Sequence, residues 1–306
     1  MLKYVLRRLL ITIPMVLIVI TITWGLVRLA PGSFYTSDKP LPAAVKKNLD
    51  EKYGRNKSWP VQYLKMLSNV LTGDFGVSLK YPGQTVNGIL WRALPVSMTL
   101  GLAAYLLALL VGVTFGSIAA LRQNSRWDYI AMGLAMFGIS VPNFVLGPLL
   151  VLIFSLGLGW FPPARWGGFF SLSMVLPTLT LAAIYTAYIS RLTRSGMLEV
   201  LRSDYIRTAR AKGLSEREVV LRHALRGGLM PVISFSGPAL AFIITGTVVV
   251  ERIFALPGLG QYFINANLNR DEPLIIGIVA FLSIMVLFFN LLTDVLYAYL
   301  DPRIRY

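Results

Sequence analysis

The chain offers few groups that could break or make bonds. Its one histidine, His223, has no second histidine to pair with, and cysteine is absent, so thiolate metal sites and disulfides are excluded. No G-x-x-x-x-G-K-[ST] phosphate loop occurs, nor an H-E-x-x-H or G-x-S-x-G pattern. This chain is therefore expected to hold no metal and no nucleotide and not to be catalytic. Ion-coupled carriers place ionisable groups in mid-membrane. Here the candidates reduce to Glu251 and Asp294, both near the ends of apolar runs. If the protein moves a solute uphill, the energy must arrive from a partner.

The elements that would carry such a solute are legible in composition. Of 306 residues, 56% are hydrophobic and 14% charged, against about 25% charged in a soluble domain. The apolar residues come in runs long enough for a bilayer core, which needs about 20 helical residues. These runs predict an all-α integral membrane protein of about six transmembrane helices, near 9–27, 95–121, 129–156, 174–189, 231–250 and 274–296. The first run is longer than the apolar core of a cleaved signal peptide, which fits a retained signal anchor. Residues 1–94 are expected to hold that anchor and an extracytoplasmic segment, and 95–306 a five-helix core. Within 31–94, the stripe Val61, Leu64, Leu67, Val70 and Leu71 suits either an amphipathic helix on the membrane or an irregular loop. Gly112, Gly116, Pro142, Pro148, Pro177, Gly237 and Pro238 fall inside the later runs and read as packing positions.

Charge sets the expected orientation. Lys3, Arg7 and Arg8, then Arg122 and Arg126, then nine basic residues between Arg191 and Arg226, then Arg303 and Arg305, share one side. The short loops opposite hold only Arg165, Arg252 and Arg270. Cytoplasmic loops collect Lys and Arg, so both termini are expected to be cytoplasmic. The same rule accounts for the net charge of +15 without nucleic acid.

The longest inside loop, about 190–230, is the most informative. Ser203 suits an N-cap, Gly213 a left-handed residue after a helix C-terminus, and Ser215 with Glu218 a capping box. The local reading is a short helix, a glycine turn and a second helix returning at Met230-Pro231. Tyr205 and Ile206 lie among arginines and small alanines, with nothing nearby in sequence to bury them. Such a helix suits a groove on another protein or, equally, anionic lipid.

The run Asp204-Tyr205-Ile206-Arg207-Thr208-Ala209-Arg210-Ala211-Lys212-Gly213-Leu214 resembles the EAA-type coupling loop of ABC importer permeases, in the form found in peptide and nickel importers. Arg207 and Thr208 replace the Glu and Ala of the general pattern, a departure shared by the peptide subgroup. Gly73-Asp74-Phe75-Gly76-Val77-Ser78, Ala255-Leu256-Pro257-Gly258-Leu259-Gly260 and Leu300-Asp301-Pro302-Arg303-Ile304-Arg305-Tyr306 resemble the B-type permease subunit. Ala30-Pro31-Gly32-Ser33 and Leu41-Pro42 are most similar to the oligopeptide branch, while the dipeptide, glutathione and nickel branches share the rest.

The resemblance implies a type I importer permease in a bacterial inner membrane, moving oligopeptides by alternating access. Its implied partners are a homologous C-type permease, two ABC ATPases holding ATP and Mg, an extracytoplasmic peptide-binding protein, and membrane lipid. Asp204 to Gly213 would seat in an ATPase groove. Peptides share a backbone whatever their side chains, so a polar path would suffice. Ser140, Asn143, Thr180, Tyr185, Thr186, Ser236 and Thr245 are its candidate lining groups, each equally suited to hydrogen bonding between helices. A stand-alone ion-coupled carrier would need the mid-membrane charge that is sparse here, and an intramembrane enzyme would need a catalytic constellation.

Overall fold

A computed structural model describes residues 2–29, 42–52, 56–163 and 165–300, apart from the side chains of 2–9, 12, 43, 46, 49, 50, 52, 244–246 and 294–300. The helices in order are α1 (Leu2–Leu29), α2 (Ala43–Lys52), α3 (Trp59–Thr72), α4 (Val86–Leu121), α5 (Arg126–Ser140) and α6 (Asn143–Leu150). There follow α7 (Val175–Leu201), α8 (Asp204–Ala211), the single turn α9 (Glu216–Glu218), α10 (Leu225–Gly228), α11 (Met230–Ile253), α12 (Leu259–Asn269) and α13 (Glu272–Leu300). Two π-helical stretches, Val151–Gly157 after α6 and Val219–Ala224 after α9, and a 3-10 turn at Leu172–Met174 before α7 complete the helical content among the described residues.

Three helical stretches, Val86–Leu121, Leu172–Leu201 and Glu272–Thr293, are each long and apolar enough to cross a bilayer. Two bent pairs add up to two more, and α1 contributes a shorter apolar stretch over Ile13–Leu29. The run expected as one span over 129–156 is broken. Arg126–Ser140 and Asn143–Gly157 meet at 105°. The cause is Pro142, which disfavours the helical region at the preceding residue. Val141 is accordingly extended, at φ −109° and ψ 114°.

The chain divides into two compact units, one of residues up to Ser97 with Pro257–Leu287, the other of Met98–Leu256 with residues from Phe288 on. In the first unit, Ile20 and Trp24 of α1 pack with Ile276 and Ala280 of α13, joined by Tyr63, Met66 and Val70 of α3. The stretch that could have been helix or loop is thus the helix α3. Of the apolar stripe read from sequence, Val70 joins this cluster, while Val61, Leu64 and Leu71 are 42%, 62% and 67% exposed. A second cluster joins Val86, Ile89 and Leu90 of α4 to Leu259 and Ala266 of α12 and Leu274 and Ile278 of α13.

Polar locks close this unit. Asp271, fully buried, accepts from the Ser78 hydroxyl, from the Lys80 N–H at 3.0 Å and from the Leu274 N–H at 3.3 Å. One carboxylate thereby caps the start of α13 and ties the Gly73–Ser78 turn to it. Ser97 likewise accepts from the Leu259 N–H at 2.8 Å at the start of α12.

In the second unit α7 is the central helix, and small residues set its distances. A Cβ on Gly138 of α5 would fall onto the Ala183 carbonyl of α7, and one on Gly116 of α4 would stand 2.5 Å from the Ser190 carbonyl oxygen. Close packing of glycine faces is what the glycines of the apolar runs suggested. Gly133, on the same helix α5, has open space around its Cβ position. Gly138→Ala is therefore expected to push α5 off α7 backbone at about 1–3 kcal/mol, whereas Gly133→Ala should be neutral or slightly stabilising. Thermal unfolding of both variants in detergent checks this; equal midpoints would show that the α5–α7 approach is looser than described.

Candidate functional site

The loop after α7 is built from local rules. Ser203 is extended at φ −75° and ψ 155° and stands at the N-cap of α8, but its hydroxyl donates to the Val200 carbonyl at 2.6 Å instead of capping. Gly213 has φ +79°. Its N–H donates to the Arg210 carbonyl at 3.0 Å, and the Leu214 N–H reaches the Ala209 carbonyl at 3.4 Å. These two bonds form a Schellman motif, whose left-handed residue suits glycine. Ser215 and Glu218 form the full capping box.

One expectation from the sequence is overturned. Ile206 does not wait for a partner. Ile206 is fully buried and Ala209 is 6% exposed, packed with Met197 of α7, Ala120 at the end of α4, and Val219 and Ala224 of the π-helical turn. The residues at i and i+3 of α8 face the chain itself, against elements distant in sequence. What α8 presents outward is Asp204, Tyr205, Arg207, Thr208, Arg210 and Ala211, followed by the exposed Lys212 at its C-cap.

Further contacts fix α8 to its neighbours. The Tyr205 hydroxyl ends 2.9 Å from where a Cβ on Gly227 of α10 would stand. Arg210 pairs with Glu216 at 2.7 Å, joining α8 to α9 across the glycine turn. The Arg210 guanidinium holds the Glu216 carboxyl below the ordinary carboxylate range, and the Ser215 side chain does the same for Glu218. Both carboxylates are solvated, so these pairs set geometry more than stability. Arg207 pairs with Asp204 along α8 itself.

The charged pair that positions α7 was not singled out from sequence. Arg194 donates to both oxygens of Asp128 at 2.8 Å, and Asp128 also accepts from the Asn124 N–H at 3.0 Å. Asp128 is 3% exposed. A plain sequence signal existed, an aspartate in the first turn of α5 close to Arg122 and Arg126, but its partner lies 66 residues away.

The polar residues expected to line a path are distributed over α5, the α6 start, α7 and α11. The hydroxyls of Ser140, Thr180, Thr186 and Ser236 each donate to the carbonyl four residues earlier. Thr180 is fully buried within the chain, Ser140 is exposed, and Asn143, Tyr185 and Thr186 are half-buried. Among the described residues no hydrogen bond joins any two of the seven. Ser236 alone bonds across helices, accepting from the Tyr105 hydroxyl of α4. The side chain of Thr245 lies outside the described residues, as do that of Asp294 and the chain end from Asp301. Glu251, near the end of α11, is fully buried.

A bundle with a glycine-packed central helix, continued into a short outward-facing helix, defines a class. Residues 112–306 match the family described as binding-protein-dependent transport system inner membrane components, and the chain belongs to that family. Over its full length it is 47% identical to the oligopeptide transport system permease protein OppB of Haemophilus influenzae, covering all of both chains. It is 44% identical to the dipeptide transport system permease protein DppB of Bacillus subtilis, over all of this chain and 98% of that one. Among solved structures, an inward-facing form of the MetNI methionine ABC transporter aligns with a TM-score of 0.56 at 14% identity, covering 70% of this chain and 96% of that one. This last likeness speaks for the fold alone.

Proposed function

We propose that this chain is a membrane subunit of an ATP-driven importer that carries oligopeptides inward by alternating access. The observation that carries the reading is the 47% identity across the whole of an oligopeptide permease. On this reading the partners are a homologous permease, two ATPases that hold ATP and Mg, and a peptide-binding protein outside. Both termini lie in the cytoplasm, in keeping with the basic residues at the ends and in the α7–α11 loop. The match to a dipeptide permease at 44% identity favours dipeptides as the second reading.

The coupling step follows from how α8 is held. An ATPase groove closing on the outward face of α8 pushes on Ile206 and Ala209, which cannot move without Met197 of α7 and the turn at Val219 and Ala224. The push is thereby delivered to the ends of two bundle helices, α7 and α11, through packed side chains instead of a flexible loop. The polar candidates Ser140, Asn143, Tyr185, Thr186 and Ser236 would meet the peptide backbone; Thr180, buried inside, would support α7.

Ala211 offers a clean test because it is exposed on α8 and off the buried face. Ala211→Trp should leave the chain in the membrane yet remove the P-loop ATPases that accompany it from native membranes in nanodiscs. Uptake of peptides longer than dipeptides, in preference to dipeptides, should mark the intact complex. A chain that purifies alone and still moves peptide would sink the importer reading. Uptake confined to dipeptides would favour the second.

A further inference from the structure

The turn from α4 into α5 carries a cluster of cations around one indole that the coupling step does not use. The guanidiniums of Arg122 and Arg126 each lie 5.6 Å from the centroid of the Trp127 ring. Neither has a carboxylate partner among the described residues; Asp128, the acid closest in sequence, is taken by Arg194 at 2.8 Å. Arg202 brings a third guanidinium to the turn, donating to Gln123 at 3.3 Å. All three arginines are exposed. The backbone that carries them is fixed. The Ser125 hydroxyl donates to the Arg122 carbonyl at 2.6 Å, and the Asn124 N–H donates to Asp128 at 3.0 Å. Cations gathered on a rigid turn without an anion are preorganised to receive one.

We propose that this turn binds the phosphate of an anionic phospholipid through Arg122 and Arg126 beside the Trp127 ring, with an acyl chain along the outer face of α5. That face selects a lipid over a soluble anion or an acidic protein. Trp127, Ile130, Leu134 and Phe137 are all exposed, and steps of three, four and three residues put them on one side of the helix. Asp128, Ala131, Ala135 and Gly138 form the buried side. From Trp127 to Phe137 the stripe runs about 15 Å at the helical rise, the depth of one leaflet of a bilayer core about 30 Å thick. A tryptophan with cations at the end of an apolar run marks the headgroup level. A free phosphate or an acidic protein surface would meet the arginines and leave the stripe unmatched, whereas a lipid meets both. The site faces the same leaflet as α8, because Ala120 at the end of α4 packs with Ile206, and it is independent of what the chain transports.

The test uses the chain with the proteins that accompany it from native membranes, placed in phosphatidylcholine vesicles. These contain a trace of either phosphatidylglycerol or phosphatidylcholine bearing the same diazirine on one acyl chain. After photolysis, mass spectrometry compares label at Ile130, Leu134 and Phe137 with label at Ile18 and Ile22, exposed apolar positions of α1. Phosphatidylglycerol is expected to label the α5 stripe at least tenfold more than phosphatidylcholine does. Either Arg122→Gln or Arg126→Gln should lower that excess about fivefold, the attraction of one basic residue at an anionic surface, and the double variant should abolish it. Arg217→Gln, which removes an exposed charge elsewhere, and millimolar inorganic phosphate should both leave it unchanged. Equal labelling by the two lipids, or an equal loss in Arg217→Gln, would overturn the site. Suppression by inorganic phosphate would assign the arginines to a free anion and overturn the lipid. A stripe left unlabelled beside labelled references would mean that another protein covers α5, and would overturn it as well.

Discussion

Replacing Gly213 by proline is expected to abolish peptide uptake driven by ATP while leaving the chain folded in the membrane. Gly213 has φ +79°, and its N–H donates to the Arg210 carbonyl. Proline fixes φ near −65° and has no N–H, so the turn and one of its two bonds are lost together, at about 3 kcal/mol or more. A loss of that size lowers the population of the native α8 end by roughly a hundredfold. The Arg210–Glu216 pair spans the same turn and would open with it. Gly213→Ala separates backbone from bulk. Nothing stands within 4 Å of its Cβ position, so alanine meets only the left-handed penalty of about 1–2 kcal/mol. On the proposed role of α8, uptake and peptide-stimulated ATP hydrolysis in proteoliposomes should be lost in Gly213→Pro and largely kept in Gly213→Ala. Normal uptake by the proline variant would show that the turn is not part of the coupling.

The contrast between Gly213 and Ile206 shows what sequence can carry. Gly213, Ser215 and Glu218 were legible because their partners lie within six residues, and backbone geometry alone dictates them. Ile206 was misread as an unpartnered contact residue. The short window Asp204–Ala211 holds only a few apolar side chains, and the wall they meet is assembled from Ala120, Met197, Val219 and Ala224. No local periodicity reports such a wall. Pro142 was visible as a residue type, yet hydropathy over 129–156 is continuous and hid the 105° bend. Hydropathy measures solvent preference, and a proline changes direction without changing it. The apolar face of α3 was legible, with Val61, Leu64 and Leu71 exposed, but its contact with α1 and α13 through Tyr63, Met66 and Val70 was not, because those partners lie far along the chain. The charged locks were the least accessible, since Arg28 and Glu272 are separated by 244 residues.

Of those locks, Asp128–Arg194 should produce the largest loss of stability, and the loss should be asymmetric. The Asp128 side chain is 5% exposed and the Arg194 side chain 29%. Removing Arg194 strands a buried carboxylate, for which about 3–5 kcal/mol is typical. Removing Asp128 leaves a guanidinium with partial access to solvent, and a smaller loss of about 1–3 kcal/mol is expected. Asp128→Ala also removes the acceptor of the Asn124 N–H, which holds the turn at φ +60° between α4 and α5. Arg194→Met should therefore lower the unfolding midpoint in nanodiscs more than Asp128→Ala, and Asp128→Leu combined with Arg194→Met should recover part of the difference, because no charge is then stranded. Two equal single-variant losses with no recovery would mean that water reaches Asp128. On the coupling role proposed for α8, the pair also bears on transport. It clamps α7 about two turns before Leu201, where α7 hands over to α8. With the clamp released, the push on Ile206 would be spent in bending the end of α7 and would not turn the helix as a whole. The double variant, stable but unclamped, should accordingly hydrolyse ATP with its partners and import peptide poorly, an outcome that stability loss alone would not produce.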